Sequence, residues 1–278
     1  MRDNPANTNA MVSDFARNGE YTDNEKKARL EGRFEFLGGR LIDNFDPKVH
    51  VIPSRALPAD WVHICAADPH LRRPCALAWL AFDPVAKIYH VYRQRPAAVG
   101  TGEYHKMRDG ALPAVELATV IRNAEGEVPA LVRPVDPRFG PASYINNGYR
   151  ETCFVDAMKR VGLNFDPQIP NTGSIEFGIT RINDLLRYDR SAPVGPDNTP
   201  HLFIHDSCKD VINSFQRLGY LDVDDASKGG QRKLDETYKD FSDAVRYAIL
   251  YPLPATAAQV KKLQRWDPDE LDKEINDF

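Results

Sequence analysis

The stretch Trp61-Val62-His63-Ile64-Cys65-Ala66-Ala67-Asp68-Pro69-His70 decides how this chain is read. Val62, Ile64 and Cys65 supply apolar, partly β-branched bulk, and Ala66 and Ala67 let neighbouring strands approach closely. The run reads as a buried strand over 62–68. Pro69 ends it, because proline has no N–H to give to a ladder. Asp68 is thereby left at the strand end. A carboxylate in that position is costly unless it is solvated or neutralised by a cation.

Working outward, 75–82 (Cys-Ala-Leu-Ala-Trp-Leu-Ala-Phe) is apolar along most of its length and predicts a second strand. Asp83-Pro84-Val85-Ala86 makes a turn, and 87–93 predicts a third strand, giving an antiparallel meander. Leu112, Val115, Leu117, Ala118 and Ile121 have helical spacing. Ala130-Leu-Val-Arg-Pro-Val-Asp136 predicts a fourth strand that again ends on Asp-Pro. Helices are expected at 151–161, with Gly162 just past the end, at 175–186, 208–218 and 238–251, and a short strand at 201–205. The polar stretch 219–233 reads as a loop or hairpin.

Before the first strand, 1–21 is polar, and Thr22-Asp-Asn-Glu25 matches a capping box that would open a short helix through Leu30. Gly38-Gly39 interrupts an apolar segment at 34–45, which suggests a small hairpin or extended arm. Pro53 to Pro58 reads as a connector. The expected division is an N-terminal arm or linker over 1–58, one domain over 59–254, and a C-terminal helix with an acidic tail over 255–278. The order of elements predicts an α/β fold: a mixed sheet, three antiparallel strands followed by parallel strands, with helices on both faces. That is the layout of the ribonuclease H-like fold, although order alone discriminates weakly.

The 278 residues carry 42% hydrophobic side chains and a net charge of −4. No run of about 18 apolar residues indicates a membrane span, and the polar N-terminus suggests no export signal. Cys65, Cys75, Cys153 and Cys208 are dispersed, which favours buried free thiols over disulfides or a zinc site. A negative chain argues at first against nucleic acid. However, Trp266–Phe278 holds six acids against one lysine, so this tail carries −5 and the remainder +1. A nearly neutral body can still hold a polyanion through local basic loops.

Asp68 and Asp136 each end a strand before a proline, so neighbouring strands would set their carboxylates side by side. Asp243 lies in Lys239-Asp-Phe-Ser-Asp-Ala-Val-Arg-Tyr-Ala-Ile249, an amphipathic helix on which Asp240 shares its face. Three converging carboxylates do not readily stay ionised together without a cation. Hard oxygen ligands favour Mg²⁺ or Mn²⁺. Two such ions would suit in-line hydrolysis of a phosphodiester by a metal-activated water. Singly, each acid has a plainer reading: Asp68 and Asp136 as turn formers, Asp243 as the partner of Arg246, Asp240 as a surface helix acid.

Ala67-Asp68-Pro69, Val135-Asp-Pro-Arg-Phe-Gly140 and Asp240-Phe-Ser-Asp-Ala-Val-Arg-Tyr-Ala248 together resemble the nuclease domain of tailed-bacteriophage large terminase subunits. The resemblance spans roughly 30–252. It includes Arg29-Leu-Glu-Gly-Arg-Phe34, similar to that family's segment between motor and nuclease, and Leu202-Phe-Ile-His-Asp-Ser-Cys-Lys-Asp-Val-Ile212. Asp-Ala-x-Arg-Tyr-Ala is its most specific piece. The resemblance implies an endonuclease that cuts concatemeric double-stranded viral DNA during genome packaging, in the cytoplasm of an infected bacterium. It implies Asp68, Asp136 and Asp243 as catalytic metal ligands for two Mg²⁺ or Mn²⁺ ions, with Asp240 in support. It also implies a terminase ATPase domain, a small terminase subunit and a portal as partners. No Gly-x-x-x-x-Gly-Lys-Ser/Thr phosphate loop occurs, so the expectation is the nuclease portion rather than the complete motor.

Candidates for DNA contact are Arg72 and Arg73 after the first acid, Arg138 after the second, and Lys228, Arg232 and Lys233 beside Gly229-Gly230. Such contacts position a duplex without reading its sequence. Two other readings stay open. One is a junction resolvase or transposase-like nuclease of the same fold. The other is a non-catalytic DNA-binding or assembly module whose acids serve structure alone.

Overall fold

The computed structural model describes residues 40–97, 104–139, 145–146, 149–150, 153–169, 175–220 and 234–253. The expected capping-box helix at 22–30, the arm at 29–34, most of the 219–233 loop, the 255–265 helix and the acidic tail lie outside the described residues.

The meander forms as its alternation demands. β2 (Val62–Asp68), β3 (Ala76–Asp83) and β4 (Ile88–Arg95) pair antiparallel in sequence order. β7 (Leu202–His205) then pairs parallel with β4, and β1 (Val51–Ile52) pairs parallel with β7. The sheet order is β1-β7-β4-β3-β2. A separate two-stranded ribbon joins β5 (Ile145–Asn146) to β6 (Tyr149–Arg150). The helices are α1 (Pro47–His50), α2 (Ala114–Glu125), α3 (Phe154–Arg160), α4 (Ile175–Leu186), α5 (Lys209–Arg217) and α6 (Lys239–Leu250). None of the described helices is long and apolar enough to cross a membrane.

The fourth strand expected at 130–136 is present only as isolated parallel bridges, Ile64 with Val132 and Ala67 with Val135. The Cys65 N–H donates to the Val132 carbonyl (3.1 Å) and the Ala67 N–H to the Pro134 carbonyl (3.0 Å). Pro134 offers the ladder only its carbonyl, so the pairing does not run on as a regular strand. On the far side the Val135 N–H donates to Asp166 and the Asp166 N–H to Arg133, which fixes this segment beside β2.

Alternation divides the sheet into two faces. Val62, Ile64, Ala66, Leu80, Val91 and Ile204 face one core, which α4, α5 and α6 complete through Ile182, Phe215 and Phe241. Cys65, Ala67, Leu77 and Trp79 face the other core, covered by Ile121 of α2 and Met158 of α3. The register of β3 against β4 shifts between Trp79 and Leu80.

Residues 40–52 belong to this body. Ile42 and Phe45 are buried in the first core, and Phe45 meets Phe215 edge-on at 5.4 Å. The sequence does not foreshadow α1 and β1. A four-residue helix and a two-residue strand are too short to leave a periodic signal. Gly162 adopts φ +75° just past α3, where glycine is expected, and its N–H donates to the Lys159 carbonyl. All four cysteines are free thiols.

α4 and α6 approach closely at Gly178. A Cβ there would lie 2.3 Å from Arg246 Cδ and 2.5 Å from Arg246 Cγ. Gly178→Ala is expected to destabilise the protein by about 1–3 kcal/mol, as overpacking does. Urea unfolding of both forms measures it.

Three buried histidines set the acid limb of stability. His50 accepts from the Asp46 N–H through Nδ1 and donates through Nε2 to the Leu186 carbonyl. Burial lowers its pKa and that of His205, and lowers His90 to about 4. The unfolded chain therefore binds more protons than the native one below the ordinary histidine pKa. The histidines' contribution to stability is expected to be full above pH ~6.5 and to fall as the pH drops towards about 4. Thermal melts across that range check it.

Candidate functional site

The end of β2 gathers the acids that the sequence singles out. Asp68 pairs with Ala76 at the last rung of β2 and points to the face that α6 covers, following Val62, Ile64 and Ala66. Asp136 follows Val135 on the segment beside β2, at the entrance to a short 3₁₀ turn over Pro137–Phe139. Asp240 and Asp243 occupy the first turns of α6, which packs against β2 and β3 through Phe241, Ala244, Val245 and Ala248. All four aspartates are buried, each less than a tenth exposed.

Cations and hydroxyls answer three of the four charges. Asp136 accepts from the Arg138 backbone N–H at 2.9 Å and its Nε at 2.8 Å, and Arg138 Nη2 lies 2.5 Å away. Tyr247 Oη donates to the same carboxylate at 2.9 Å. Asp240 meets Arg73 Nη2 at 2.8 Å and accepts from Tyr104 Oη at 3.0 Å. Asp243 meets Arg246 Nη2 at 2.8 Å, with Lys239 Nζ 3.9 Å away. No donor among the described residues bonds the Asp68 carboxylate.

The proton affinities follow from this asymmetry. Burial pushes the Asp68 carboxyl well above its ordinary value, and the charges of Asp243, Asp240 and Asp136 push it further. Burial also raises Asp243, against the pull of Arg246 and Lys239. Burial acts on Asp136 in the same direction, but the bonds from Arg138 and Tyr247 outweigh it and the carboxyl sits below its ordinary value.

Behind the acids, Asp210 on α5 holds the loop that carries Tyr104. Its Oδ1 accepts from the Tyr104 N–H at 2.8 Å, and its Oδ2 accepts from Gln94 Nε2 at 2.6 Å. Gln94 in turn accepts from the Asp210 and Val211 N–H groups. Tyr104 and Gln94 escape the sequence reading, because no spacing links them to the acids. Tyr247 has a signal, four residues beyond Asp243 on the same helix face.

Among the described residues, no group of three His, Cys, Asp or Glu lies close enough to hold a metal ion with the side chains as they stand. The carboxylates of Asp240, Asp136 and Asp243 turn instead to Arg73, Arg138 and Arg246, as opposite charges at close range do. The chemistry of the donor set nevertheless fits a hard divalent cation: it is all carboxylate, and Asp68 has neither a hydrogen-bond donor nor an ion-pair partner among the described residues.

The expected DNA contacts divide. Arg72 is exposed. Arg73 and Arg138 spend their charges on Asp240 and Asp136, which the sequence does not anticipate. Lys228, Arg232 and Lys233 lie outside the described residues. His70 accepts from the Arg72 and Arg73 N–H groups through Nδ1 and so shapes the turn after Asp68.

No family model and no curated protein matches the sequence. Among solved structures, the chain is similar to the large terminase nuclease domain of phage P22. The TM-score is 0.52 at 18% identity, over 76% of this chain and 91% of that one. It is also similar to the large terminase of a thermophilic bacteriophage, with TM-score 0.54 at 15% identity, over 90% of this chain. The chain spans only about half the length of that thermophilic phage protein, 54%. At such identities the likeness is one of fold: the chain has the ribonuclease H-like fold of large terminase nuclease domains.

Proposed function

We propose that the protein is a Mg²⁺- or Mn²⁺-dependent endonuclease of a viral DNA-packaging machine. The observation that carries this reading is the buried group of Asp68, Asp136, Asp240 and Asp243. Within it, Asp68 has neither a hydrogen-bond donor nor an ion-pair partner among the described residues. The fold likeness to the P22 nuclease domain supports the same reading.

In this reading Asp68, Asp136 and Asp243 hold the ions, and Asp240 supports them. Bound divalent ions supply Lewis-acid activation of water and neutralise charge at the scissile phosphodiester. The chain's own groups do the rest. Arg138 and Tyr247 fix the orientation of Asp136, Arg246 does the same for Asp243, and Tyr104 with Arg73 anchors Asp240. The proton-poor form of Asp68 is the one that binds a cation, so ion binding displaces its proton and strengthens as pH rises. Arg72 and the basic residues of the 219–233 loop hold double-stranded DNA by its phosphates. The length of the thermophilic phage large terminase beyond this likeness fits a partnership with an ATPase domain. A small terminase subunit and a portal complete the proposed machine.

A specific observation favours the non-catalytic reading: three of the four acids already have basic partners. Cleavage decides between them. Supercoiled plasmid is expected to be nicked and linearised with Mn²⁺ or Mg²⁺ and left intact with EDTA. Asp68→Asn and Asp243→Ala are expected to lose roughly 100-fold or more of that rate, since even outer-shell changes at metal sites cost about 10–100-fold. Equal cutting by the native and Asp243→Ala proteins would sink the assignment.

Metal-free stability gives an independent check. The raised pKa of Asp68 means that ionising it works against the fold, so its contribution is lost as pH rises through the folded-state value. Asp68→Asn is therefore expected to melt higher than the native protein in EDTA at neutral pH. Mn²⁺ is expected to raise the melting temperature of the native protein and not that of Asp68→Asn.

A further inference from the structure

The face of the sheet turned away from the acids holds a second polar site. Among the described residues, α2 and α3 pack on that face mainly against β2 and β3. Over β4 and β7 it carries His90, Tyr92, Arg93 and His205, while Trp61 stacks on His90 at 5.3 Å. Here a cavity of about 410 Å³ opens between Arg55, Arg93, His63, Tyr92, Glu125 and His205. That volume is within the range of small-molecule sites.

The walls of this cavity are short of negative charge. Neither Arg55 nor Arg93 forms an ion pair among the described residues, and Arg93 lies over the Tyr92 ring at 5.6 Å. The Glu125 carboxylate is committed elsewhere: it accepts from Trp79 Nε1 at 3.3 Å and meets Arg133 Nη2 at 2.5 Å. The nearby Asp206 accepts from Ser54 Oγ at 2.6 Å. His63 uses both ring nitrogens, on the Tyr92 hydroxyl and the Pro58 carbonyl.

His205 is the exception. It is 1% exposed, and its Nε2 has no hydrogen-bond partner among the described residues. That atom has less than 1 Å² of accessible surface, so it lies behind the cavity wall. Burial and the Arg55 charge lower the pKa of this ring. Two guanidinium forks around one cavity form a donor set suited to phosphate oxygens.

We propose that this cavity binds a phosphate monoester, with Arg55 and Arg93 holding its charge. The site shares no residue with the acidic cluster, and the proposal does not depend on the nuclease reading.

Equilibrium binding tests it with the full chain in EDTA, at fixed ionic strength, using inorganic phosphate in one arm and AMP in the other. Saturable binding in either arm is expected. Tighter binding of AMP would assign the cavity to a mononucleotide, and equal affinity would assign it to the phosphate group alone. Arg55 is exposed, so Arg55→Ala leaves the fold intact. It is expected to weaken binding about tenfold or more, as loss of a charge-assisted partner does. No saturable binding in either arm, or unchanged binding by Arg55→Ala, would overturn the assignment.

Discussion

The burial of like charges where α6 meets the end of β2 is the constraint that the neighbouring side chains answer. α6 cannot withdraw, because Phe241, Ala244, Val245 and Ala248 bury its apolar face against β2 and β3. The same packing brings Asp240 and Asp243 within electrostatic reach of Asp68 and Asp136. The hydrophobic contact thus forces an electrostatic problem that an apolar core would otherwise avoid. Arg73, Arg138 and Arg246 meet it in part, and Tyr104 and Tyr247 supply hydroxyl donors. Asp68 keeps the remainder. The cost of burying these charges is therefore concentrated at one residue.

The two faces of the sheet treat polarity differently. Towards α6, buried acids are arranged around a charge deficit. On the opposite face, over β4 and β7, aromatic rings and imidazoles pack side by side, and the cavity there is lined by Arg55 and Arg93. A meander of only seven- and eight-residue strands thereby separates an anionic region from a cationic one by the thickness of a backbone layer. Side-chain alternation is sufficient to keep them apart.

Much of this is legible in the sequence, for identifiable reasons. β2 can be read to the residue because β-branched bulk begins at Val62 and a proline follows Asp68. α4 and α6 are legible from their apolar spacing, and the resemblance in Asp-Ala-x-Arg-Tyr-Ala points to the fold that the structural likeness bears out. What fails to show lacks a local signature. The segment beside β2 looks like a strand by composition, yet Pro134 prevents a regular ladder. α1 and β1 are shorter than any period. The pairing of Arg73 with Asp240 joins residues far apart in the chain, and only the fold brings them together. For the candidate site, the acids are visible as residues, but the way their neighbours balance them is not.

Gly178 places a restriction on sequence drift. It has no side chain because the Arg246 stem passes where a Cβ would sit, and Arg246 is the cation that holds Asp243. A lineage that acquires a methyl group at 178 must shorten or reroute the residue at 246. That change leaves the Asp243 carboxylate without its counter-charge. The two positions are thus bound to change together, and a neutral-looking exchange on α4 resets the charge balance beside Asp68 without touching any acid.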